Sequence, residues 1–248
     1  MPVVMVHGNP ETDAVWGPLV AELGLPGVVR LSPPGWGAPT PDGWTATVEE
    51  YRRWLVGELE EIGEPVDLVG HDWGGGHALN VAMTRPDLLR TWVSDLLGCF
   101  DPDYVWHPLA QGWQTPGKGE EAVAAIVDDP SSRLDDMESR GLARAVGEQM
   151  ARGYDTTMAR CILGLYRDAA QPTMARLGEN LPAAAARPGL AVLATKDRNV
   201  GTDEMRRRAA ARAGAEVAVL DGLGHWWMVQ DPKRAAAVLH DFWSSHGG

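Results

Sequence analysis

The sequence has only two cysteines, Cys99 and Cys161, and neither sits in a CxxC spacing or a histidine-rich context. This argues against a disulfide framework or a cysteine-bound metal and leaves both thiols as small buried apolar residues. Positive charge is scarce: 22 Lys and Arg stand against 34 Asp and Glu, a net charge of -12. A chain of that sign repels phosphate, which disfavours nucleic acid and anionic membrane surfaces as partners. No apolar run approaches the roughly 20 residues of a membrane span, and the opening "MPVVMVHGNP" lacks the basic start and apolar stretch of a secretion signal. The expectation is a cytoplasmic protein acting on a small molecule, with no cofactor and no metal. Oligomeric state leaves no mark on the sequence.

What the chain does have is 248 residues with 44% hydrophobic content, enough for one large domain or for a core with an insertion. Short β-rich runs, "PVVMV", "GVVRLS", "PVDLVG", "TWVSDLL", "GLAVLAT" and "AEVAVLD", alternate with helical patterns. That alternation predicts a parallel sheet wrapped by helices. Thr47 and Glu50 form a capping box for a helix whose Val48, Tyr51, Leu55, Leu59 and Ile62 repeat at helical spacing, a stripe expected to lie on the sheet. Between Cys99 and Pro188 the alternation fails: the interval reads as helical, ending in an Ala-rich linker, "LPAAAARPG". The predicted organisation is a core of residues 1–98 and 188–248 with a helical cap, 99–187, inserted after the fourth strand.

The stretch "LVGHDWGGGHAL" breaks an apolar strand with a Gly-flanked Asp72 and then resumes as a helix. With serine in that place it would read as a nucleophile elbow. Two further reactive groups follow later strands, Asp197 after "LAVLATK" and His225 after "VAVLDGLG", and ligands of open parallel sheets gather beyond such strand ends. The order nucleophile, acid, histidine is that of the α/β-hydrolase fold. Asp95, at the end of "TWVSD", is the alternative acid. The segment His7-Gly8-Asn9-Pro10 follows the first strand, where this architecture draws one backbone N–H of an oxyanion hole, and the second donor would be the N–H of Trp73. The remaining histidines, His71, His77, His107, His240 and His246, read as structural or solvated.

An aspartate in the elbow changes the chemistry. A carboxylate attacking an ester would form a mixed anhydride, whereas attack at a saturated carbon bearing a leaving group forms a stable alkyl ester. Asp72 therefore points to substitution at sp3 carbon, followed by hydrolysis of the ester with His225 as base and Asp197 orienting it.

"GHDWGG", "HG-x-P" and the ordered Asp, Asp and His resemble the branch of the α/β-hydrolase superfamily that contains epoxide hydrolases and haloalkane dehalogenases, over nearly the whole chain. The chain starts directly at its first strand, so strands that this superfamily places earlier are expected to be missing. "GWQTPGKGEEA" is similar to the "YFQ-x-PG" cap segment of soluble epoxide hydrolases, "LYRDA" to their "WYRN", and "GHWW" to their "GHW". The resemblance implies that Tyr166 donates a hydrogen bond to the epoxide oxygen. A second tyrosine of that family falls on Gly112 here, leaving Trp113, Tyr104 or His107 to take its place. Asn9 instead resembles the dehalogenases, which hold halide between such an asparagine and the tryptophan after the nucleophile, here Trp73. The expected activity is epoxide hydrolysis, with a dehalogenase as the first alternative and a ligand-binding homologue without turnover as the second. Trp36, Trp106, Trp113, Trp226 and Trp227 suggest an apolar, aromatic ligand.

Overall fold

The computed structural model describes residues 2–246, so the expected core boundaries at residues 1 and 248 lie outside the described residues. Each β-rich run forms a strand: β1 (Val3–Val6), β2 (Val29–Leu31), β3 (Val66–Gly70), β4 (Leu89–Ser94), β5 (Gly189–Ala194) and β6 (Glu216–Leu220). They lie in the order β2-β1-β3-β4-β5-β6, every neighbouring pair parallel. The fold is that of an α/β-hydrolase, a parallel six-stranded sheet flanked by helices. All residues of β1, β3 and β5 are buried, as expected of strands covered on both faces, while β2 and β6 at the edges are partly exposed.

Helices α1 (Gly17–Leu23), α2 (Val48–Ile62) and α3 (Trp73–Thr84) follow the first three strands. The capping box forms: Thr47 Oγ1 accepts from the Glu50 N–H at 3.2 Å, and the Glu50 carboxylate accepts from the Thr47 N–H at 3.0 Å. Of the predicted stripe, Val48, Tyr51, Leu55 and Leu59 are buried and Ile62 half-buried. Helix α2 runs against α3, which itself lies on β3 and β4.

Between β4 and β5 the described residues form α4 (Pro108–Gln114), α5 (Lys118–Asp128), α6 (Pro130–Ser139), α7 (Arg144–Ala151), α8 (Thr156–Asp168) and α9 (Thr173–Gly178), with no strand. The Ala-rich stretch is more than a linker. Leu181–Ala186 is a 3-10 helix that packs on α3, with Leu181 and Ala184 buried and the Ala184 carbonyl accepting from the Trp92 indole at 3.1 Å. The chain closes with α10 (Asp203–Arg212), α11 (Trp227–Gln230) and α12 (Pro232–His246); α10 covers β5 and α12 packs on α1. No helix among the described residues is long and apolar enough to cross a membrane.

Candidate active site

Strand register brings the candidate residues together. Val6 lies beside Gly70, and Gly70 beside Ser94, so the segments after β1, β3 and β4 leave the sheet at one level. Asp72 then turns the chain from β3 into α3 with φ 50° and ψ -128°, a conformation that a side chain rarely adopts and that surrounding structure must hold. The hold is visible: the Asp72 N–H donates to Asp95 Oδ1 at 2.8 Å. The turn is also crowded, because a methyl group at Gly74 would stand 2.1 Å from the Val6 carbonyl oxygen. Glycine at Gly8 has a similar cause. A methyl group there would meet Asp72 Oδ1 at 2.3 Å; its absence lets the Asn9 N–H donate to that oxygen at 2.9 Å.

His225 stands between two carboxylates. Its Nδ1 is 2.9 Å from Asp197 Oδ2, and its Nε2 is 3.7 Å from Asp72 Oδ2, just beyond a direct hydrogen bond. Asp197 also accepts the Asn199 N–H at 2.9 Å. Burial opposes ionisation of Asp197, but the His225 charge and hydrogen bond outweigh it and hold this carboxyl well below the usual range. Burial likewise opposes protonation of His225, and the Asp197 charge more than reverses that, so its pKa rises. Burial raises the pKa of Asp72, against the opposing charges of His225 and His71.

Asp95, the alternative acid, is committed elsewhere. Besides holding the elbow, its Oδ2 lies 2.5 Å from His71 Nδ1 and accepts from the Trp227 indole at 2.7 Å. The other nitrogen of His71 is 3.1 Å from Glu11 Oε1, which accepts from the Trp226 indole at 2.7 Å, while Glu11 Oε2 accepts the Gly8 N–H at 3.0 Å. Burial alone would favour the neutral forms of His71 and Glu11. Instead Glu11 and Asp95 keep His71 protonated well above its usual pKa, and His71 draws Glu11 down to about 2. A buried carboxylate–imidazolium–carboxylate triad thus ties the Gly8 turn to the Asp72 elbow. Glu11, His71 and His225 place donor atoms within 4.8 Å of one another, but the imidazolium charge of His71 makes this cluster a poor metal site.

Glu11 carries no role in the sequence pattern, and His71, expected to be structural or solvated, is structural. The available signal was a glutamate directly after the HGNP segment and two indole donors directly after His225. The tryptophans also divide by role. Trp227 spends its indole on Asp95, and Trp36 donates to the Tyr51 hydroxyl, so both serve the interior and not a ligand. Trp113 and Trp226 line a cavity of about 270 Å³ that also holds Asn9, Asp72, Tyr166 and His225.

Tyr166 is buried with its ring 5.6 Å from Trp73 and 4.7 Å from Trp113. Burial and the neighbouring Asp72 charge push its phenol pKa up, so it keeps its proton. Tyr104 does not line this cavity and donates its hydroxyl to the Asn199 carbonyl at 2.6 Å. His107 does line it: Nδ1 accepts the Ala110 N–H at 3.3 Å, and burial lowers the ring pKa to about 4, leaving a neutral imidazole with its proton on Nε2. The Asn9 side-chain amide and the Trp113 indole N–H are buried without a hydrogen-bond partner.

Comparison with known proteins agrees with this layout. The model of the alpha/beta hydrolase family matches residues 3–238. An epoxide hydrolase 3 from Siraitia grosvenorii is 32% identical over 143 residues, covering 50% of this chain and 45% of its own length; the chain thus matches less than half of that curated relative. A haloalkane dehalogenase loop variant from Bradyrhizobium elkanii superposes with TM-score 0.74 at 20% identity over 99% of this chain and 89% of its own. An enol-lactonase from Burkholderia xenovorans does so with TM-score 0.72 at 19% identity over 98% and 91%. At such identities the structural likeness speaks for the fold. With the family model spanning nearly the whole sequence, and the parallel sheet in place, this chain belongs to the alpha/beta hydrolase family.

Proposed function

We propose that this protein is a hydrolase that opens epoxides to vicinal diols through an alkyl ester on Asp72, with residues 99–187 serving as the cap over the site. The observation that carries this reading is Tyr166, a protonated phenol lining the same small cavity as the Asp72 carboxylate. Asp72 Oδ1 is held by the Asn9 N–H and remains the carbonyl oxygen; Oδ2 attacks the epoxide carbon. The C–O bond of the ring breaks as Tyr166 donates to the departing oxygen, and the Nε2–H of His107 or the indole N–H of Trp113 supplies the second donor. His225 then takes a proton from water, whose oxygen adds to the Asp72 carbonyl carbon. The Asn9 and Trp73 N–H groups stabilise the oxyanion that results. Collapse expels the second diol oxygen, which takes the proton of the new Asp72 carboxyl and so restores the carboxylate; the proton on His225 replaces the one that Tyr166 gave up, while Asp197 holds the imidazole in orientation throughout.

A second reading, hydrolytic dehalogenation, is favoured by one feature: the unpaired Asn9 amide offers an N–H to a departing halide. A ligand-binding protein without turnover is the remaining alternative. Single turnover in heavy-oxygen water, with enzyme in excess, distinguishes them. Covalent catalysis leaves the first diol unlabelled and puts the label into Asp72; direct attack by water labels the diol. His225→Gln should accumulate an adduct whose mass equals enzyme plus epoxide, whereas adducts and halide release only with haloalkanes would select the second reading. Ligand-induced thermal stabilisation with no turnover of either substrate class would select the third.

A further inference from the structure

Positive charge is scarce in this chain, yet three arginines meet at the catalytic cavity. Arg133, Arg140 and Arg198 line the catalytic cavity together with Asp72, and an adjoining wider cavity of about 620 Å³ continues the same wall with Arg140, Lys196 and Arg198. The carboxylates on these walls are Asp72 and Asp197, and both face His225. One further carboxylate, the exposed Asp136, reaches Arg133 at 3.3 Å and Arg140 at 3.6 Å. Arg198 makes no ion pair or side-chain hydrogen bond among the described residues, and Arg133 retains a buried Nε–H without an acceptor. Arg140 is held over the Trp226 ring at 5.2 Å, and that ring lies 5.3 Å from the His225 ring, so a guanidinium is fixed beside the reacting groups. In a protein of net charge -12, three guanidiniums around one cavity with a single exposed partner form a local field opposite in sign to the whole.

The geometry points to an anion subsite formed by Arg133, Arg140 and Arg198 that takes the carboxylate of a short organic acid, whose other end carries the carbon attacked by Asp72. The role of that second end rests on the covalent reading above; the subsite itself does not. Guanidinium forks match carboxylate geometry and pair with it in bidentate fashion. A cavity of about 270 Å³ accommodates an acid with a few carbons between its carboxylate and its reacting end. This refines the expectation of a purely apolar ligand: Trp113 and Tyr166 receive the apolar part and the arginines the charge.

Calorimetric titration of the full chain with hexanoate and with hexanamide, neither of which can alkylate Asp72, tests the subsite apart from the chemistry. At low salt hexanoate should bind about tenfold or more tightly than hexanamide, and raising salt to half-molar should shrink that ratio. Arg133→Gln, Arg140→Gln and Arg198→Gln combined should bring the ratio to within about twofold, while Arg53→Gln, on the exposed face of α2, should leave it intact. If the triple variant does not fold, Arg198→Gln alone, at an exposed unpaired position, should still lower the ratio. Equal affinities in the parent protein, no binding of hexanoate, or a ratio that survives all three substitutions would overturn the subsite. A retained hexanoate preference with no adduct on any epoxide or haloalkane would instead overturn the covalent reading alone.

Discussion

Asp95 and Asp197 both follow strands of the sheet and both carry a histidine, but different histidines, and the two substitutions to asparagine should therefore fail in different ways. Asp197→Asn removes the carboxylate 2.9 Å from His225 Nδ1 and should lower turnover by about a thousandfold or more with little change in melting temperature. Asp95→Asn leaves the buried imidazolium of His71 short of one counter-charge and should cost about 3–5 kcal/mol of stability, read as a clear fall in melting temperature. The reverse pattern would mean that Asp95 serves the base. His225 adds a pH signature. Base catalysis needs the neutral ring, and the Asp197 charge raises its pKa above 6.5, so breakdown of the alkyl-enzyme should decline as pH falls through a value above 6.5. Esterification of Asp72 removes a smaller share of that rise, so His225 should titrate slightly lower in the adduct than in the free enzyme. Decay centred below 6.5 would contradict the assignment. At this scale the sequence announced the residues that sit at strand ends, because parallel topology alone fixes where they converge. It could not announce Glu11, whose partner His71 is 60 residues away and is known only once β1 and β3 are in register.

At the scale of elements, the inner strands were legible because their apolar runs are buried on both faces, and the edge strands β2 and β6 because theirs are bounded by turn residues. The contact of α2 with α3 was not, since an apolar stripe says that a face is covered but not by what. The Ala-rich segment misled for a related reason: alanine is equally at home in a loose linker and in a tight contact. Its packing makes a paired test. Ala184 is buried beneath α3, and Ala183 is exposed one residue earlier. Ala184→Asp puts an unpartnered carboxyl into that contact and should cost several kcal/mol, roughly the 2–7 expected for an unpaired buried polar group, whereas Ala183→Asp should stay within about half a kcal/mol. Equal denaturation midpoints for the two variants would show the segment to be the loose linker that its composition suggests.

For the whole molecule, the buried triad sets how stability should follow pH, and the two signs differ. Glu11 has its pKa lowered from 4.5 to about 2, so its contribution is complete above the unfolded value of 4.5 and is lost as pH falls toward 2. A shift of that size corresponds to about 3 kcal/mol, a large part of the margin of an ordinary domain. His71 has its pKa raised well above 6.5, so its contribution is complete below 6.5 and is lost as pH rises through the folded value. Both contributions are present together between about 4.5 and 6.5, on the acid side of neutrality, although the chain's net charge of -12 at pH 7 already favours a mildly acid optimum by reducing self-repulsion. Glu11→Gln separates the two causes, because it removes the titrating carboxylate and changes the net charge by one unit only. Melting temperatures measured from pH 3 to pH 9 should show the parent losing stability steeply below 4.5, with a lower but flatter acid limb for Glu11→Gln. Its alkaline limb should move to lower pH, since His71 keeps Asp95 but loses the charge that most raises its pKa. Parallel curves, displaced by a constant amount across the whole range, would show that Glu11 and His71 hold the elbow by hydrogen bonds alone and that the triad carries no charge.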